Sequence, residues 1–151
     1  MAIRAVFDTT YFLPAFGLRI DIDSSENIIN AIERFNNRGN TLIVSDITPL
    51  EGFLKAFSIA EKQRNETGKN RAREGFLSMV NDPLITIVSH QQRTVFEEAF
   101  KIRMRHKDVF DCFVFATAVA ENVLLVTEDE SSSKHVKNVI RWTNFIRKYV
   151  S

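Results

Sequence analysis

Four short runs of β-forming apolar residues, Ile3 to Phe7, Thr41 to Ser45, Leu84 to Val88 and Val123 to Thr127, alternate with longer segments that carry a 3.6-residue apolar period. That alternation narrows the fold more than any other feature. The runs are nearly continuous in Val, Ile, Leu and Phe rather than alternating apolar with polar, which predicts strands buried on both faces, as in a parallel sheet covered by helices. The intervening segments place Ile28, Ile29, Ile32 and Phe35, then Leu50, Phe53, Leu54 and Phe57, then Phe76, Leu77 and Val80, then Val95, Phe96, Ala99 and Phe100 on single helical faces. Strands and helices in this order predict a doubly wound α/β domain with right-handed crossovers. A weaker fifth strand is expected over Val139 to Trp142, with Thr143 to Tyr149 as a terminal helix. The hydrophilic stretch from Glu61 to Glu74, with Lys62, Arg64, Lys69, Arg71 and Arg73, reads as a helix-to-helix turn around Gly68.

At 151 residues, 44% of them hydrophobic, the chain can build one core of ordinary size, so a single domain over residues 1–151 is expected. A net charge of +1 excludes a protein that coats polyanions through its global field, and leaves nucleic-acid binding to local patches. The lone cysteine, Cys112, excludes an intramolecular disulfide framework and reads as a small buried hydrophobe, which fits a reducing, cytoplasmic location. MAIRAVFD meets Asp8 too early for a signal peptide, and no apolar stretch approaches the ~18 residues of a membrane span.

In doubly wound sheets ligands bind at the carboxyl ends of the strands, and acids gather at those positions here. Asp8 follows the first run, Asp46 and Glu51 follow the second, and Asp129 and Glu130 follow the fourth; Asp108 and Asp111 open the Ala-rich helix before it. Asp46 and Asp108 read as helix N-caps. Taken singly, Asp8 fits a strand-end turn, Glu51 an exposed helix position, and Asp129 and Glu130 a solvated loop. Asp111 resists such a reading, because its helix face continues through Val114, Phe115 and Ala118. Carboxylates forced together repel one another unless a cation neutralises them. An all-oxygen set points to a hard divalent ion, Mg²⁺ or Mn²⁺, rather than Zn²⁺, and His90, His106 and His135 are assigned no part in it.

VFDTTYFLPAF around Asp8, SDITPLE ending at Glu51, and DCFVFATAVAENVLLVTED from Asp111 to Asp129 together resemble the PIN-domain ribonucleases, which include the VapC-type toxins of toxin-antitoxin pairs. The third block is the most specific. The resemblance implies a three-layer α/β/α sandwich on a mainly parallel five-stranded sheet, and a Mg²⁺- or Mn²⁺-dependent endoribonuclease that hydrolyses RNA phosphodiester bonds. It implies that Asp8, Glu51, Asp111 and Asp129 are the catalytic and metal-binding acids, Glu51 holding a water or acting as general base, and that Thr10 and Thr127 line the pocket. An antitoxin protein and a homodimer are the partners it suggests. Glu128, the SSSKH segment and the long polar stretch from Glu61 to Asn81 depart from the family pattern; they touch the toxin role and leave the acids in place.

The basic run KIRMRHK supplies Lys101, Arg103, Arg105 and Lys107 as candidates for holding the RNA backbone; a solvated helix end, favoured by the helix dipole, is the other reading of the same residues. Arg71 and Arg73 form a second basic candidate. Phe53, Leu54, Phe57 and Ile59 exceed one helix stripe and suggest a face for self-association. Two other classes fit parts of the pattern. A non-catalytic PIN-like module would bind RNA or protein without cleavage. A haloacid-dehalogenase-like phosphatase would use Asp8 as nucleophile but requires a second Asp where Thr10 stands.

Overall fold

The central strand β1 (Arg4–Phe7) is flanked on one side by β2 (Thr41–Ser45) and on the other by β4 (Leu124–Val126) in a computed structural model that describes residues 1–151. β3 (Ile85–Val88) and β5 (Val139–Ile140) form the edges, giving the order β3-β2-β1-β4-β5 with every pair parallel. Pleating sends alternate side chains to opposite faces. Ala5, Phe7, Leu42, Val44 and Val126 enter one apolar cluster, whereas Val6, Ile43, Val88 and Leu125 enter the other.

The first face is covered by a 3-10 turn (Thr9–Phe16), α1 (Ser25–Asn37), α2 (Ile47–Lys62), α3 (Glu66–Val80) and the terminal α6 (Trp142–Phe145), which runs on into a π-helical turn (Ile146–Val150). The second face is covered by α4 (Arg93–Arg103) and α5 (Val109–Glu121). The expected three-layer α/β/α sandwich is therefore present, with its fifth strand and terminal helix. That terminal segment belongs to the core: Trp142 stacks on Tyr11 at 5.0 Å and Phe145 meets Phe7 edge-on at 5.1 Å. No helix is long and apolar enough to cross a membrane.

Three local expectations change. β3 is not buried on both faces, since Thr86 and Ile87 are exposed; a strand at the sheet edge has one neighbour, and a continuous apolar run does not reveal that position. The turn between α2 and α3 falls at Gln63 to Asn65 rather than around Gly68. Asn65 caps α3 by accepting from the Gly68 N–H at 2.9 Å, so Gly68 lies in the first helical turn. Finally, several of the large apolar residues expected on the core faces of α2 and α4 are exposed, and small residues take much of the buried surface. Leu50, Leu54, Ile59, Phe96 and Phe100 are exposed, while Gly52, Ala56, Ala60, Val95, Ala99 and Ile102 are buried.

Small residues are required on α2 by its closeness to the 3-10 turn. A Cβ at Gly52 would stand 2.5 Å from the Phe16 ring, so only glycine admits this approach. The adjacent Glu51 is carried with it towards the end of β1.

Candidate active site

β1 and β4 pair in register through Phe7 and Val126, which sets the next residues, Asp8 and Thr127, side by side at the carboxyl edge of the sheet. The Thr127 hydroxyl donates to Asp8 Oδ2 at 2.6 Å, and the Thr10 backbone N–H donates weakly to Asp8 Oδ1 at 3.4 Å. The same Thr127 oxygen accepts from the Asp129 N–H at 3.1 Å, fixing the loop beyond β4 relative to β1. Burial pushes the Asp8 carboxyl above the ordinary carboxylate range against these hydrogen bonds; the charge of Glu51 adds to the rise and Lys55 opposes it.

Glu51 is buried on α2, with Lys55 Nζ 3.2 Å from its Oε2 one helical turn away. A contact between the Thr9 and Thr48 hydroxyls at 3.3 Å ties the same helix to the start of the 3-10 turn. Asp111 lies in the first turn of α5, where its N–H donates to the capping Asp108 Oδ1 at 3.1 Å. Its own carboxylate meets His106 Nε2 at 3.0 Å. Burial is the largest cause that raises the Asp111 carboxyl to about 6; the His106 bond works against it, and the charges of Asp108, Asp8 and Asp129 reinforce it. Asp129 accepts from the Ser131 N–H at 2.8 Å and from its hydroxyl at 2.7 Å.

The charge of Glu51 bears on Asp8, and the charges of Asp8 and Asp129 bear on Asp111, so the four acids lie near enough to repel one another in succession from α2 to the loop after β4. One ligand atom each from His106, Asp111 and Asp129 lie within 4.8 Å of one another. Two carboxylate oxygens and an imidazole nitrogen crowded in this way can serve as ligands of a divalent cation.

Other residues are placed differently. Asp108 caps α5 as expected, and Asp46 stands at the N-cap position of α2 as expected, but its side chain caps no helix N–H: it accepts from the His90 N–H at 3.0 Å and pairs with His90 Nδ1 at 2.7 Å. Thr10 meets Asp8 through its backbone. Glu128 turns away from the acids, accepting from the Tyr11 hydroxyl at 3.3 Å and the Trp142 N–H at 2.9 Å, while Glu130 pairs with Arg141 at 2.8 Å.

The basic run divides by role. Lys101 and Arg105 line an open depression of about 590 Å³ with Lys134 and His135. Arg103 instead donates to the His106 carbonyl at 3.2 Å, a structural tie, and Lys107 is exposed in the link to α5. Two residues at the site depart from the sequence reading: Lys55 was not singled out, and His106, assigned no part in a metal site, stands against Asp111 at 3.0 Å. Lys55 is detectable in principle through its i,i+4 spacing from Glu51. His106 is masked by the basic residues around it, although only four residues separate it from Asp111.

A family model described as "PIN domain" matches residues 5–138. No curated protein matches the chain. Among solved structures, VapBC2 of Rickettsia felis, bound to a DNA fragment from its promoter, is 18% identical with a TM-score of 0.61, covering 93% of this chain and 99% of its own. A toxin-antitoxin complex from Klebsiella pneumoniae is 20% identical with a TM-score of 0.53, over 90% and 95% of the two chains. VapC20 of Mycobacterium tuberculosis, described as a sarcin-ricin loop cleaving toxin, is 11% identical with a TM-score of 0.57, over 86% and 93%.

Proposed function

The chain belongs to the PIN-domain family, and from that membership we propose that it is a Mg²⁺- or Mn²⁺-dependent endoribonuclease, acting as one domain over residues 1–151. The observation that carries this function is the gathering of Asp8, Glu51, Asp111 and Asp129 at the strand ends, with Asp8 held above the ordinary carboxylate range by burial and by the charge of Glu51, and Asp111 by burial and by the charges of Asp108, Asp8 and Asp129. Such a set is complementary to a divalent cation and costly without one. A bound ion would supply charge neutralisation at the scissile phosphate and an acidified water. Asp8, Asp111 and Asp129 would hold it. Glu51, with Lys55 beside it, accepts the proton of the attacking water. Thr127 orients Asp8 through its hydroxyl, and Thr10 supports the other oxygen.

RNA as substrate is supported by the likeness to a toxin that cleaves the sarcin-ricin loop, and Lys101, Arg105 and Lys107 are the exposed cations that steer its backbone. The complexes among its structural neighbours support a cytoplasmic toxin with an antitoxin as protein partner. Exposed Leu50, Leu54 and Ile59 on α2 support a homodimer; Phe53 and Phe57, half-buried against the core, contribute less to that face than their sequence pattern suggests.

The test is cleavage of RNA by purified protein. Activity requires Mg²⁺ or Mn²⁺, stops with EDTA, and is lost in Asp8→Asn and Asp111→Asn. RNA binding indifferent to metal, without cleavage by any preparation, contradicts the enzyme and supports a non-catalytic binding module.

A further inference from the structure

A histidine stands inside the acidic site. His106 Nε2 is 3.0 Å from Asp111 Oδ2, its side chain is 14% exposed, and its ligand atom shares a 4.8 Å cluster with those of Asp111 and Asp129. The ring is held from several sides. The His106 backbone carbonyl accepts from Arg103, and the ring meets Phe115 at a tilt at 5.3 Å and His135 edge-on at 5.7 Å. A structural ion pair needs a single carboxylate beside the imidazole. Here a second carboxylate, Asp129 from the loop after β4, has a ligand atom within 4.8 Å of those of His106 and of Asp111 on α5. The 3.0 Å separation also equals that of two adjacent ligands in an octahedral shell with a radius of about 2.1 Å.

We propose that His106 is a nitrogen ligand of the metal site, and that the imidazole biases the site towards Mn²⁺ over Mg²⁺. This rests on the metal-dependent reading above and specifies the ion it uses. Mg²⁺ favours oxygen donors and binds imidazole poorly, whereas transition ions accept mixed nitrogen and oxygen shells. Losing His106 therefore costs Mn²⁺ affinity more than Mg²⁺ affinity. It does not remove the carboxylates that either ion needs.

The experiment is metal binding by the full chain, without RNA. Free Mn²⁺ is counted by continuous-wave electron paramagnetic resonance, Mg²⁺ is measured by competition, and pulsed measurements on protein with ¹⁵N-labelled histidine detect nitrogen bound to the ion. Wild type and His135→Gln are expected to show the histidine coupling. His106→Gln, with its fold checked by circular dichroism, is expected to lose it and to narrow the preference for Mn²⁺ over Mg²⁺ by at least about tenfold. Bound Mn²⁺ without histidine coupling in wild type, or an unchanged preference in His106→Gln, overturns the nitrogen ligand and leaves an all-oxygen metal site standing. Failure of wild type to bind either ion overturns both the ligand and the metal-dependent function.

Discussion

Thr127 donates its hydroxyl to Asp8 Oδ2 at 2.6 Å across 119 positions of chain, and the same oxygen accepts the Asp129 N–H at 3.1 Å. One threonine thus connects two acids that arrive on different strand ends. Replacing it by valine keeps the shape but removes both the donor to Asp8 and the acceptor for Asp129. Thr127→Val is expected to lose about 1–3 kcal/mol of stability in urea titration, because buried polar groups are left unpaired. RNA cleavage should fall together with stability. A variant as stable and as active as wild type would show that the bond positions nothing.

The raised carboxyls set the pH dependence of the metal-free fold. Asp111 titrates at about 6 in the folded chain against an ordinary value of 3.8, so between these values the folded state binds the extra proton. Stability from this group is complete below the lower value and is lost as pH rises through about 6. Asp8 acts in the same direction. In EDTA, the difference in melting temperature between Asp111→Asn and wild type should therefore grow in the mutant's favour between about pH 4 and 7. A constant difference over that range contradicts the raised carboxyl.

Gly52 tests how Glu51 reaches the site. Alanine is the better helix former by about 1 kcal/mol, yet its Cβ would press on the Phe16 ring at 2.5 Å. Overpacking is expected to win, with Gly52→Ala destabilised by about 1–3 kcal/mol. An increase in thermal stability would show that α2 can retreat from the 3-10 turn without cost.

The order of strands and helices was legible because parallel strands covered by helices leave a nearly pure record of apolar runs, as Ala5 to Phe7 and Leu42 to Val44 do. The acids were legible because strand ends are where such sheets place polar chemistry. Edge exposure at β3 was not, since Ile85 and Ile87 read the same whether a second neighbour is present or absent. Nor was the buried face of α2: Gly52, Ala56 and Ala60 carry little hydrophobic signal, and the Phe and Leu residues beside them carry much. His106 was hidden for a different reason. Its role depends on the link between α4 and α5 folding back over Asp111, and a local window of charge shows only a basic run.

Electrostatic steering by the basic residues can be separated from structure. Lys101 and Arg105 line the same open depression, whereas Arg103 holds the His106 carbonyl. In an Asp8→Asn background, changing Lys101 and Arg105 to alanine should reduce the slope of log affinity for single-stranded RNA against log salt by about 1.4, two phosphate contacts at ~0.7 each. Arg103→Ala should instead lower the melting temperature. An unchanged salt slope in the double variant would remove these two cations from the RNA path.

Four carboxylates gathered for a cation should repel one another until the ion arrives. Melting curves of wild type and Asp111→Asn, each in EDTA and in excess Mn²⁺, test it without substrate. Without metal the mutant should melt higher, because one charge of the repelling set is gone while the capping N–H of residue 111 is kept. With Mn²⁺ at a hundredfold excess over Kd, wild type should gain about 2.7 kcal/mol and the mutant much less. A mutant that melts lower than wild type in EDTA, with neither protein responding to Mn²⁺, would remove the metal site and make Asp111 a structural partner of His106.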